Sequence, residues 1–140
     1  MAGKLLLEVV TPEKLLLSQE VDEVIAPGSE GEFGVLPGHC HFLSMLRIGE
    51  LSYRVGGTTN YISVLSGFAE VTPHKVTILA EVAEKAEDID VERAQAAVEK
   101  AQRRLETGGL PSDVEEAKIS LEKARLREKI AARAKKSRAR

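Results

Sequence analysis

The sequence predicts an α+β protein: an all-β sandwich of about eight to ten strands, a flattened barrel, over residues 1–84, then an antiparallel two-helix hairpin over 85–140. Three observations predict it. As far as about Val82, short runs with alternating or β-branched residues recur between glycine and proline breakers. From Glu84 onward the apolar spacing changes to steps of three and four, which is helical. That helical segment also repeats itself at an offset of 23 residues: Asp90-Val91-Glu92-Arg93-Ala94 matches Asp113-Val114-Glu115-Glu116-Ala117, and Glu99-Lys100-Ala101 matches Glu122-Lys123-Ala124.

The strands follow in order. Lys4 to Val10 and Lys14 to Leu17 are separated by Thr11-Pro12, and Glu20 to Ala26 places Val21, Val24 and Ala26 in a β-branched setting. From Pro27 to His39 the chain carries glycines at 28, 31, 34 and 38 with a proline near each end, which is turn chemistry and excludes a helix. Beyond it come Phe42 to Ile48, Glu50 to Val55, Asn60 to Leu65, Phe68 to Thr72 and Lys75 to Val82. Their joints are Gly49, Gly56-Gly57, Ser66-Gly67 and Pro73-His74.

In the second half, Asp88 and Asp90 are N-cap candidates, and Val91, Ala94, Val98, Ala101 and Leu105 form a narrow stripe like a coiled-coil seam. Gly108-Gly109-Leu110-Pro111 stops that helix. Ser112 with Glu115 has the spacing of a capping box for the next one, whose stripe is Val114, Ala117, Leu121 and Ala124. Two such stripes joined by a short turn imply an antiparallel hairpin. Alanine buries little area, at about 25 cal/mol per Å², so a hairpin seamed this way is expected to open readily.

Composition and motif spacing narrow the functional classes. No apolar run approaches the roughly 20 residues that a membrane-spanning helix needs, and the N-terminus lacks the pattern of a signal peptide. Any membrane association is therefore expected through a partner. The single cysteine, Cys40, rules out an intrachain disulfide and is expected as a small core residue. Gly28, Gly31 and Gly34 do not open an amphipathic helix and precede no Lys-Ser or Lys-Thr, so neither phosphate-binding fingerprint applies. Within a strand His39 and His41 would face away from Cys40, and the chain has no His-Glu-x-x-His or paired Cys-x-x-Cys. No catalytic set and no metal site are expected.

The net charge of -2 hides a segregation. Residues 123–140 carry nine basic side chains against one acidic, whereas the other 122 residues carry 11 basic and 21 acidic. Such a tail suits an acidic surface, whether nucleic acid, anionic lipid or protein. It holds no aromatic platform for stacking bases, so an acidic protein is the better target. Arg93, Lys100 and Arg104 share one helix face, which on its own reads as a solvated basic face.

The run Gly-Ser-Glu-Gly-Glu-Phe-Gly-Val-Leu-Pro-Gly-His at 28–39, together with Leu65-Ser66-Gly67-Phe68-Ala69-Glu70-Val71, resembles the signature of the epsilon subunit of bacterial F-type ATP synthase. The resemblance covers nearly the whole chain. It implies a non-catalytic rotor part of the central stalk, peripheral on the cytoplasmic face of the inner membrane. It implies as partners the gamma subunit, the membrane ring of c subunits and the catalytic alpha and beta subunits, with no nucleic acid. Glu32 and His39 would lie in loops that approach the ring. The hairpin would inhibit ATP hydrolysis when extended, with Arg125, Arg127, Lys129 and Arg133 pairing with an acidic segment of beta.

Some members of that family bind ATP through Ile/Leu-Asp-x-x-Arg-Ala. Here Ile89, Asp90, Arg93 and Ala94 match, Glu84 lies just upstream, and Arg104 matches a basic position. Glu116 stands where such relatives have arginine, and Lys100 and Lys123 replace arginines. No cofactor is expected, beyond weak regulatory ATP binding without hydrolysis. The alternative from another class is a free-standing sandwich adaptor whose basic tail binds nucleic acid or anionic membrane; strongly salt-dependent binding of DNA by the tail alone would favour it.

Overall fold

Eight strands precede two helices in a computed structural model that describes residues 3–138, with side chains as far as 134. The chain divides into two compact units, Met1–Lys85 and Ala86–Arg140.

In the first unit the strands are β1 (Leu5–Val10), β2 (Leu15–Val21), β3 (Glu23–Gly28), β4 (Gly31–Val35), β5 (Phe42–Leu46), β6 (Gly49–Val55), β7 (Thr58–Val71) and β8 (Lys75–Lys85). They pair in the order β2-β1-β8-β7-β5-β3-β4, with β6 bridging β3 and β7. All neighbours are antiparallel except β1 and β8. Period-two alternation sends Leu5, Leu7 and Val9 of β1, Leu51 and Tyr53 of β6, Ile62 and Val64 of β7, and Val76 and Ile78 of β8 into one aliphatic core.

Several sequence expectations need correction. Ser66-Gly67 is not a joint: β7 runs unbroken through it, although Ser66 has φ 53° and Gly67 φ 144°. The pairing of β7 with β8 keeps one register on both sides of this kink, from Ile62↔Lys85 to Val71↔Val76. Only the outer neighbour of β7 changes there, from β6 before the kink to β5 after it. The glycine stretch is partly strand, because Phe33 and Val35 alternate inward on β4 while Gly34 between them stays exposed. β8 continues three residues past Val82, to Lys85. Finally, Cys40 is exposed, and His39-Cys40-His41 lies between β4 and β5 rather than in a strand.

The true break between β2 and β3 is Asp22, and its side chain explains why. The carboxylate accepts from Lys4 Nζ of the segment before β1 and from the backbone N–H of Gly56 at 2.7 Å, and Arg54 Nη1 stands 3.7 Å away. One side chain thus ties the chain start to the β6–β7 turn. The Lys4 hydrogen bond, followed by that of Gly56, holds the Asp22 carboxyl below the usual carboxylate range. A depressed folded-state pKa contributes stability that is present above the unfolded value of about 3.9 and is lost as pH falls through the folded value. Asp22→Asn should therefore lower the urea midpoint at pH 7 and leave a much smaller difference from the parent at pH 2. An equal loss at both pH values would exclude the ionic origin.

In the second unit a turn of 3-10 helix at Ala86–Asp88 leads into α1 (Val91–Thr107) and α2 (Pro111–Arg138). Asp90 is the N-cap of α1: its Oδ1 accepts from the Arg93 N–H at 3.1 Å. α2 starts with proline at its first position, where the missing N–H costs nothing. The Leu110 carbonyl accepts the first intrahelical bond, from Val114 at 3.1 Å, so Ser112 lies inside the helix and is not its cap. α1 packs on α2, and the stripe is buried at its alanines, Ala94, Ala101, Ala117 and Ala124, while Val91 is exposed. Ile89, Ile130 and Ala131 are buried beyond the stripe read from sequence.

Candidate functional site

The sandwich carries an outward apolar row that the sequence reading did not single out. Met45, Phe68 and Leu79 face each other across β5, β7 and β8 in direct register and are 58%, 47% and 49% exposed. Leu43, two residues along β5 and therefore on the same face, is 69% exposed. A cavity of about 500 Å³ opens beside the row, lined by Thr11, Met45, Ser66, Phe68, Leu79 and Glu81 among others. Ser66 Oγ donates to Glu81 Oε2 at 3.3 Å on its rim. Scattered exposed apolar residues are ordinary, whereas a contiguous row rimmed by polar groups is how a protein-binding face is built. Period-two alternation in Leu43-Ser44-Met45 was the available signal, since both faces of β5 are apolar.

Glu32 sits exposed on β4, two residues past the Ser29-Glu30 turn, and so lies in a strand rather than in a loop. His39 is half-buried after the next turn. Its Nδ1 donates to the Cys40 carbonyl oxygen at 2.7 Å, and its ring meets Phe42 edge-on with centroids 6.1 Å apart. The Cys40 thiol lies 3.8 Å from that same nitrogen, which is already committed as a donor and cannot take the thiol proton. No nucleophile and base pair forms here. Among the described residues no group of three or more His, Cys, Asp or Glu is placed to hold a metal ion.

Within the hairpin unit, the ATP-motif residues fall in two places. Ile89 and Ala94 are buried, and Asp90 and Arg93 meet through the N-cap bond, so three of these four residues have structural work at the start of α1. Arg104 is eleven residues further on, about 16 Å along the axis at 1.5 Å per residue, and its guanidinium faces Glu116 at 3.7 Å. Glu84 lies on β8 of the first unit.

Arg125, Lys129 and Arg133 recur at four-residue spacing on one face of α2, and Arg127 falls on another. Arg125 and Lys129 border a groove of about 450 Å³ with Val98 and Gln102 of α1.

A sandwich with an apolar binding row and a separate hairpin with a basic end define a class of protein that works by contact with other proteins. A family model for the β-sandwich domain of the ATP synthase delta/epsilon chain matches residues 4–86, and one for its long α-helix domain matches residues 87–132. The chain belongs to the ATP synthase delta/epsilon chain family. It is 53% identical to the ATP synthase epsilon chain of Syntrophobacter fumaroxidans over 131 residues, 94% of this chain and 98% of that one. It is 51% identical to that of Nitratidesulfovibrio vulgaris over 130 residues, 93% and 97% of the two chains. Among solved structures, a chain of the Euglena gracilis mitochondrial ATP synthase superposes with a TM-score of 0.78 at 26% identity, covering 89% of this chain and 79% of that one. Members of this family are non-catalytic subunits, and the chain is not itself an enzyme. No helix among the described residues is long and apolar enough to cross a membrane.

Proposed function

We propose that this chain is a central-stalk subunit that couples rotation of a proton-driven c ring to ATP synthesis and restrains ATP hydrolysis through its helical hairpin. The observation that carries the reading is the contrast between its two units. The sandwich has a continuous aliphatic core and an outward apolar row, the properties of a permanent anchor. The hairpin is seamed by alanines and ends in basic residues, the properties of a part that moves and then pairs with acidic groups. On this reading the apolar row binds gamma, the β3–β4 hairpin and His39 face the ring, and Arg125, Lys129 and Arg133 act together toward the catalytic beta subunits. Arg127 points elsewhere on α2 and contributes less. The protein sits peripherally on the cytoplasmic face of the bacterial inner membrane, held there by these partners.

The same reading makes ATP binding to the hairpin weak, because Glu116 occupies Arg104 and Ile89, Asp90 and Ala94 serve the start of the helix. Calorimetry on the full chain should show at most weak ATP binding, and a tight site would overturn the weight given to Glu116.

The deciding experiment adds either the full chain or a version ending at Glu87 to a catalytic head that lacks this subunit, and follows ATP hydrolysis. The full chain should bind and slow turnover; the shortened one should bind and leave turnover unchanged. If both bind and neither inhibits, the hairpin is not a brake. If neither binds, the stalk assignment fails.

A further inference from the structure

We propose that the Arg104–Glu116 ion pair is a clasp across the turn end of the hairpin, setting how often α1 and α2 separate. This rests on the reading that the hairpin opens. Four features converge on the pair. Toward the turn, with the buried Ile89 and Ile130 further away, the fully buried seam residues are alanines, Ala101 and Ala117, whose methyl groups remove little apolar area from water, so small terms matter at that end. The connecting turn is held by Gly108 at φ 74° and Gly109 at φ 128°, and its one large residue, Leu110, is 68% exposed, so apolar contact at that end comes only from the half-buried Leu105 and Val114. Arg104 Nη2 of the last turn of α1 meets Glu116 Oε2 near the start of α2 at 3.7 Å. The Arg104 carbonyl also accepts the N–H of Gly108, the C-cap of α1, at 3.2 Å, so the residue that reaches across sits in the turn where α1 ends.

The neighbouring pairs cannot take over this role. Glu99 with Arg103, and Glu115 with Lys118, are each within one helix and survive separation intact. Lys100, Arg103 and Asp113 line the same cleft of about 380 Å³ as Arg104. The Arg104 and Glu116 side chains are 43% and 74% exposed, which limits the clasp to the effect of a surface pair. Breaking it should raise the ratio of open to closed hairpins by about 1.5- to 5-fold, and salt should weaken it. The clasp is thus a trim on the brake. It keeps the resting hairpin shut slightly more of the time and still lets a partner pull it open.

The test uses the full chain carrying Cys40→Ser, with spin labels at Gln95→Cys on α1 and Glu122→Cys on α2, both exposed positions, and reads the distribution of distances between them. Arg104→Glu and Glu116→Arg should each raise the separated fraction at low salt by the stated factor. The two together restore an ion pair with its charges exchanged and should return the fraction toward the starting value. In 1 M salt the four proteins should converge. Single variants that each open more than the parent, with a double variant that restores it, support the clasp. A separated fraction that exists but is the same in all four overturns the clasp alone. A hairpin that never separates in any of them, even with the catalytic head present, overturns the underlying reading of opening and the clasp with it.

Discussion

Gly67→Ala should cost the sandwich about 3 kcal/mol or more and lower its Tm by roughly 12–24 °C. A Cβ at this position would lie 2.0 Å from the Leu79 carbonyl oxygen and 2.8 Å from the Ala80 Cα, and both are backbone atoms of β8. Relief would require β7 and β8 to part at the place where one register spans two sets of neighbours. The φ of 144° adds strain that any L side chain would meet. Gly34→Ala is the control: a Cβ there meets nothing within 4 Å, and its melting curve should stay close to the parent. Thermal unfolding followed by far-ultraviolet circular dichroism reads both, and a Gly67→Ala protein that melts with the parent would show that β8 yields freely.

Phe68→Glu should weaken binding to a gamma-containing stalk by about 30-fold or more while leaving the sandwich folded. Phe68 lies in the middle of the apolar row, opposite Met45 on one side and Leu79 on the other, the position where an interface concentrates its energy. A central aromatic anchor is worth about 2 kcal/mol or more when lost, and each 1.4 kcal/mol is tenfold in affinity. Because the ring is 47% exposed in the isolated chain, most of the cost falls on binding. Glu13→Lys, on the exposed β1–β2 connection, should bind like the parent. Equal affinities for parent and Phe68→Glu would place the stalk contact on another face.

The class of both units was legible because each rests on a periodicity that survives without tertiary knowledge: two in Leu5 to Val9, three and four in Ala94 to Leu105. The misreadings at glycine share one physical cause. Glycine signals a break only when the chain uses it for one. At Gly67 the residue serves a close strand crossing, and Gly34 sits on the outward side of an edge strand, so neither ends an element. Asp22 carries the opposite lesson: an ordinary-looking acid in a strand proved to be the break, because its carboxylate is consumed by Lys4 and Gly56, which are distant in sequence. The apolar row was missed because Met45 and Phe68 look like core residues until register shows them sharing the outer face. Ser112 has the spacing of a cap, but Pro111, favoured at the first helical position, moves the start of α2 ahead of it.

The β7–β8 ribbon, continuous through the Ser66-Gly67 kink, belongs at one end to the group of strands around β6 and at the other to that around β5 and β1. Two stacked sheets joined only by loops can slide over one another under a sideways load, because side-chain packing resists shear far less than covalent bonds do. Here the main chain itself crosses between the groups twice, side by side. A sideways load applied to the Met45–Phe68–Leu79 row would therefore be carried to the far side of the domain through backbone.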